Sequence, residues 1–121
     1  MFLGLRTVIY RVPDLAQAKE WYADAFGVAP YFDEPFYVGF EVGGYELGLH
    51  PYEDGVTIGD NIVTYWGVAD IEAGVRHMLE HGAALREPVT EVGGAVKVAS
   101  VTDPFGNVIG LIENPHFEGG Q

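Results

Sequence analysis

The sequence predicts an α+β fold built from two βαβββ units, and three observations carry that expectation. Val12-Pro13-Asp14-Leu15 closes an apolar run and opens a helical pattern, and Val68-Ala69-Asp70-Ile71 does the same in the second half. Each helical pattern stops at a glycine, Gly27 and then Gly82, and each is followed by three short β-type runs. Either half alone, at about 55–60 residues, buries little surface, so the two are expected to pack around a shared concavity, the natural place for a ligand.

Taken in order, Leu3 to Val12 has the β-branched and aromatic content of a strand. Asp14 is placed as an N-cap with Gln17 three residues on, and Leu15, Ala18, Tyr22, Ala25 and Phe26 fall on one helical face. Val28 to Phe32, Phe36 to Val42 and Tyr45 to His50 read as strands, the last two joined by the hairpin dipeptide Gly43-Gly44. A loop rich in Gly, Pro and acids, Pro51 to Asp60, separates the halves. Asn61 to Val68 then reads as a strand, Asp70 caps a helix with Ile71, Val75, Met78 and Leu79 inward, and Ala83 to Val89, Ala95 to Val101 and Asn107 to Glu113 read as strands. Gly93-Gly94 and Asp103-Pro104-Phe105-Gly106 supply the turns between them. The expected organisation is one domain over residues 1–121, with unit 1 at about 1–52 and unit 2 at about 60–117.

Composition narrows the function classes. Eighteen Asp and Glu against six Lys and Arg give a net charge of −12, which argues against a nucleic-acid partner, whose phosphates need a basic surface. The same acidity suits a cationic ligand, although acidic surfaces mostly serve solubility. With no cysteine, thiolate nucleophiles, disulfides and Cys-ligated zinc are excluded. Met1 to Val12 is broken by Arg6 and Arg11 and runs into a helix start, which reads as neither a signal peptide nor a membrane span, so a cytoplasmic protein without a membrane partner is expected.

These motifs, with Trp21-Tyr22, Phe26-Gly27 and above all Asp103-Pro104-Phe105-Gly106-Asn107 feeding an apolar strand that ends in Glu113-Asn114-Pro115, resemble the vicinal oxygen chelate superfamily of glyoxalases, bleomycin-resistance proteins and extradiol dioxygenases. The resemblance covers almost the whole chain. It implies that each βαβββ unit curls into half of an open barrel, the pair enclosing a ligand cavity. In the metal enzymes of that group, inward His or Glu side chains on the first and last strands of the units hold one divalent ion. Carried over from the flanking motifs, those positions fall at Thr7, Gly48, Val63 and Gly110. A divalent ion wants three or four imidazole or carboxylate groups, and these residues supply none, so neither a metal site nor another cofactor is expected. A two-residue slip would bring Glu46 or His50 to the second position but would leave Val63 and Gly110 unable to coordinate. The two glycines are instead expected to leave room for an organic guest.

The expected ligand face follows from the two-residue period of strands. Thr7, Ile9 and Arg11 share one face, opposite Val8, Tyr10 and Val12, and Arg11 is expected at the cavity mouth or paired with a nearby glutamate. Glu46 and His50 share a face with Gly48, and His50 is the natural acid or base near neutral pH. Tyr65 shares a face with Val63 and Gly67 and is placed to stack on a ligand, whereas Trp66 points to the core and Lys97 is expected to point outward. His77-Met78-Leu79-Glu80-His81 spells an H-x-x-E-H protease pattern, but Gly82 ends the helix at once, and both histidines suit the helix C-terminus.

Two function classes follow. The first is a metal-independent small-molecule-binding protein of the glyoxalase/bleomycin-resistance type, its ligand met by Thr7, Ile9, Arg11, Glu46, Gly48, His50, Val63, Tyr65 and Gly110. The second is a lyase, isomerase or dioxygenase of the same superfamily that uses a divergent metal site at Glu46 and His50, or His50 as acid and base. A sensing or partner-binding module is a third class that one sequence does not resolve. The resemblance also implies a homodimer, with the apolar tail Ile112 to Phe117 either a contact or folded back on its own unit.

Overall fold

The computed structural model describes residues 1–59 and 61–117. Two compact units divide at Val56 and Thr57, each a βαβββ motif folded into a four-stranded mixed sheet with one helix against it. Unit 1 comprises β1 (Thr7–Val12), α1 (Leu15–Phe26), β2 (Phe32–Glu34), β3 (Tyr37–Val42) and β4 (Tyr45–Pro51), with sheet order β1-β4-β3-β2. Unit 2 comprises β5 (Thr64–Gly67), α2 (Ile71–Glu80), β6 (Ala84–Gly93), β7 (Val96–Thr102) and β8 (Val108–Glu113), with order β5-β8-β7-β6. In each, the first strand runs parallel to the last and the remaining pairs are antiparallel.

Both helices begin as the sequence predicts. Asp14 and Asp70 adopt extended backbone, and their carboxylates accept from the backbone N–H of Gln17 at 3.0 Å and Ala73 at 3.2 Å. Gly27 ends α1 in the left-handed region at φ 68°, where a side chain would be strained. The start of α2 has a second anchor, because Glu113 at the end of β8 accepts from the Ile71 N–H at 2.9 Å. Strand and helix of unit 2 are thereby fixed to one another at the point where the helix has unbonded donors.

Each sheet turns one face to its helix. In unit 1 that face is Tyr10, Val12, Val38, Phe40, Leu47 and Leu49, all buried with Ala18, Tyr22 and Ala25 of α1. In unit 2 it includes Ala99, Val101, Ile109 and Leu111, buried with Ile71 and Met78. Lys97 is two residues from Ala99 and opposite Glu113, so it lies on the helix-facing side, outward from the Gly110 face.

Strand bounds and one side chain differ from the sequence reading, among them the start of β5, at Thr64 where Asn61 was expected. The first strand starts at Thr7 rather than Leu3, because its partner begins at Tyr45, immediately after the Gly43-Gly44 turn, and leaves earlier residues nothing to pair with. The second strand is Phe32–Glu34, beyond the expected Val28 to Phe32. Leu79 is exposed, because the helical stripe is centred on Ile71 and Met78 and the residue after Met78 is turned about 100° away.

Candidate functional site

The face of unit 1 opposite α1 gathers most of the residues singled out from sequence. Strand register sets Thr7 beside Glu46, Ile9 beside Gly48 and Arg11 beside His50, with Gly39 of β3 on the other side of Gly48. Tyr31 and Tyr37 cross this face. Both phenols donate to Glu46, Tyr31 to Oε1 and Tyr37 to Oε2, and the Thr7 hydroxyl donates to Oε2 at 3.3 Å. The Tyr31 and Tyr37 hydrogen bonds, with a smaller one from Thr7, hold the Glu46 carboxyl below its ordinary pKa, against the opposing effect of burial. Tyr31 is raised chiefly by its bond to Glu46, and Tyr37 by burial and then by the same bond.

The glycines do not leave the room that the sequence suggested. A Cβ on Gly48 would fall inside the Tyr37 phenol, 2.6 Å from Cζ and 2.9 Å from Cε1. One on Gly39 would sit 3.3 Å from the Tyr31 ring. In unit 2, a Cβ on Gly110 would lie 2.6 Å from Tyr65 Cδ1 and 2.9 Å from the Thr64 carbonyl oxygen. In both units the missing side chain is replaced by a tyrosine of the same sheet.

At the far end of β1 and β4 a second cluster forms around Glu53. Its Oε1 lies 3.7 Å from Arg11 Nη1 and 3.2 Å from His50 Nε2, while His50 Nδ1 is 2.8 Å from the Pro51 carbonyl. Both ring nitrogens of His50 are therefore engaged, and acid–base use of the ring would require it to leave Glu53. In unit 2, Ser100 is buried beside Gly110 and donates to Glu87 Oε1 at 2.9 Å, the same oxygen that Arg86 meets at 2.9 Å. Val63 is half-buried just before β5.

Of the predicted residues, the structure thus joins Thr7 to Glu46, Arg11 to His50, and Tyr65 to Gly110. Tyr31, Tyr37 and Glu53 were missed. Tyr37 was legible, since it lies two residues before Gly39 and so on the same strand face; Tyr31, expected within a strand over Val28 to Phe32, lies just before β2, where the two-residue period does not set its facing. A groove of about 380 Å³ opens between α1 and β2–β3 on the helix side, lined by Leu15, Lys19, Asp33 and Val38, and includes none of the predicted residues.

The family model for the Glyoxalase/Bleomycin resistance protein/Dioxygenase superfamily matches residues 4–111. The chain belongs to this superfamily. Solved superfamily structures share the fold at low identity. A glyoxalase/bleomycin resistance protein/dioxygenase family enzyme from Burkholderia phytofirmans PsJN matches with TM-score 0.79 and 19% identity, over 91% of this chain and 98% of that one. A superfamily member from Sphaerobacter thermophilus DSM 20745 gives 0.77 and 22%, over 93% and 98%. A lactoylglutathione lyase from Agrobacterium tumefaciens gives 0.77 and 18%, over 98% and 100%. No curated protein matches the sequence.

The donors present do not fit the divalent ion of the superfamily's metal enzymes. Thr7 turns its hydroxyl to Glu46, Gly48 and Gly110 are covered by tyrosine rings, and Val63 has no donor. Among the described residues no group of three or more His, Asp or Glu is placed to hold a metal. His77 and His81 lie at the end of α2, where His81 Nδ1 is 2.8 Å from the His77 carbonyl, a helix-terminus contact. No described helix is long and apolar enough to cross a membrane.

Proposed function

We propose that this superfamily member binds a small organic molecule without a metal ion, on the sheet faces opposite the helices. The observation that carries the reading is the engagement of Glu46 by hydroxyl donors. Three hydroxyls, from Thr7, Tyr31 and Tyr37, engage the carboxylate that pairs with the family-type position Thr7, so most of its lone pairs serve hydrogen bonding rather than coordination. In unit 1 the exposed ring of Tyr31 and the apolar side chain of Ile9 offer contact surface to an organic guest, and in unit 2 the exposed ring of Tyr65 offers its own. Arg11, His50 and Glu53 form a polar rim at the end of β1 and β4. The protein is further proposed to act as a homodimer, as the resemblance implies, and in the cytoplasm.

Native mass spectrometry of protein purified without affinity metal and without chelator tests both parts in one measurement. The expected spectrum is a dimer at the mass of two bare chains, unchanged by added zinc, nickel or ferrous ion at equimolar level. A stoichiometric metal adduct that survives desalting overturns the metal-independent reading, and a monomer at every concentration overturns the dimer.

A further inference from the structure

We propose that the aromatic face of unit 1 recognises an organic ammonium ion, with Glu46 as its counter-charge and Tyr31, Tyr37, Phe32 and Phe36 as its walls. This deepens the small-molecule reading and rests on it.

Glycine places the rings. Without side chains at Gly39 and Gly48, the Tyr31 and Tyr37 rings lie down against the backbone, and their hydroxyls converge on Glu46. A ring laid on a sheet has one face covered and the other turned away from the backbone. Phe32 sits edge-on to Tyr37 at 6.1 Å and 61°, and Phe36 edge-on to Phe32 at 6.1 Å and 67°, so the phenols are bordered by further aromatic surface. Tyr31 is 62% exposed, Phe32 40% and Phe36 61%, a contiguous aromatic patch that water disfavours and a ligand would cover.

Charge selects the class of ligand. The face of an aromatic ring is negative, and a phenol that donates to a carboxylate has its ring made more so. The hydroxyl donors favour the ionised form of Glu46. The basic groups of unit 1 are committed elsewhere: Lys19 to Asp33 at 3.0 Å, Arg11 to Glu53, and Arg6 to the Leu3 carbonyl. An anion meets repulsion here, and a neutral guest gains stacking without the charge term. An alkylammonium gains both, because its methyl groups contact the rings while its charge faces Glu46.

The test uses choline and its uncharged carbon isostere, 3,3-dimethylbutan-1-ol, titrated into the full chain and followed by NMR of the aromatic signals. Choline is expected to bind about tenfold tighter than the alcohol. Glu46→Gln, which keeps hydrogen-bond acceptance but removes the charge, is expected to bring the two within about twofold, and Tyr31→Leu to weaken choline about fivefold. Circular dichroism melts check that both variants fold. Equal binding of the two probes or no binding of choline overturns the ammonium assignment, and a preference that survives Glu46→Gln undiminished in a folded protein overturns Glu46 as the counter-charge. Those outcomes leave the metal-independent reading standing, which fails separately if native mass spectra show a bound metal.

Discussion

The two units follow one backbone plan yet fill the same place differently. In unit 1 the row across the sheet runs Ile9, Gly48, Gly39 and Phe32; in unit 2 it runs Tyr65, Gly110, Ser100 and Glu87. Each last strand carries a glycine at the equivalent position, and a tyrosine covers it, but the tyrosine arrives from opposite sides. Tyr37 reaches Gly48 from β3, with its hydroxyl over the glycine, whereas Tyr65 on β5 lies directly beside Gly110 and touches it with the near edge of its ring. The repeat therefore preserves a small residue and a covering aromatic, while the source of the aromatic has changed. The lesson is that the glycine is required by its neighbour, and the cost of replacing it depends on how freely that neighbour can leave.

Alanine at the two positions breaks the comparison most directly. At Gly110 the new methyl would press on Tyr65 Cδ1 and on the Thr64 carbonyl, and a backbone oxygen in a paired strand has nowhere to go. Gly110→Ala is expected to cost about 3 kcal/mol, the upper part of the usual overpacking range. At Gly48 every close atom belongs to the outer end of Tyr37, which can swing away. Gly48→Ala is expected to cost about 1 kcal/mol, and Tyr37→Ala combined with it should remove the clash, so that the double variant is less destabilised than the two single losses added together. Urea melts of the four variants measure this. Equal costs at Gly48 and Gly110 would show that the tyrosines are incidental.

The turns before the last strands offer a second contrast. Unit 1 closes its hairpin with Gly43 and Gly44 at φ 59° and 93°, a two-residue turn made by backbone freedom. Unit 2 uses Asp103, 4% exposed, whose Oδ1 accepts from the N–H of Phe105 at 2.9 Å and of Asn107 at 2.7 Å, while Oδ2 takes the Asn107 amide at 3.2 Å. Here a buried carboxylate organises the turn, and Gly106 at φ 97° supplies its left-handed residue. Asp103→Ala strands three partly buried donors and is expected to cost about 2 kcal/mol in the same urea melts, with Asp103→Asn, which keeps one acceptor, costing about half as much. A loss under about 0.5 kcal/mol for the alanine variant would mean that water replaces the carboxylate without penalty.

Much of this was legible in the residues. The caps Asp14 and Asp70, the glycine stop at Gly27 and the facing of Thr7, Ile9 and Arg11 follow from local rules that need no partner strand. The group's description as α+β with two βαβββ units followed from the repeat. What lay beyond the sequence was pairing. That Leu3 to Leu5 lack a partner strand, that Glu53 gathers Arg11 and His50, and that the space over Gly48 belongs to Tyr37 are consequences of strand register, which a single chain's periodicity does not fix. The Asp103 turn shows the reverse case. Its motif was recognisable as a family mark, and the structure supplies the physical reason, a buried carboxylate organising the loop.

The smallest expected effect concerns the hydroxyl cluster that unit 1 has and unit 2 lacks. Because the folded state holds Glu46 below its ordinary value of 4.5, the cluster's stabilisation is fully present above about pH 4.5 and is lost as the pH falls through the lower folded value. The tyrosines work in the opposite sense. Their raised values mean that stability is full below pH 10.0 and declines as the pH rises through the folded values, since the unfolded chain releases these protons first. Glu46→Gln should therefore flatten both limbs, removing the acid dependence directly and, by deleting the carboxylate charge beside the phenols, bringing the late-titrating part of the phenolate absorbance of the 7 tyrosines to lower pH. Tyr31 and Glu46 are solvent-accessible, so the stability change is small and the absorbance titration is the sharper reading. An unchanged titration curve in the Glu46→Gln protein would dissolve the cluster as an electrostatic unit and leave the tyrosines as covers for glycine alone.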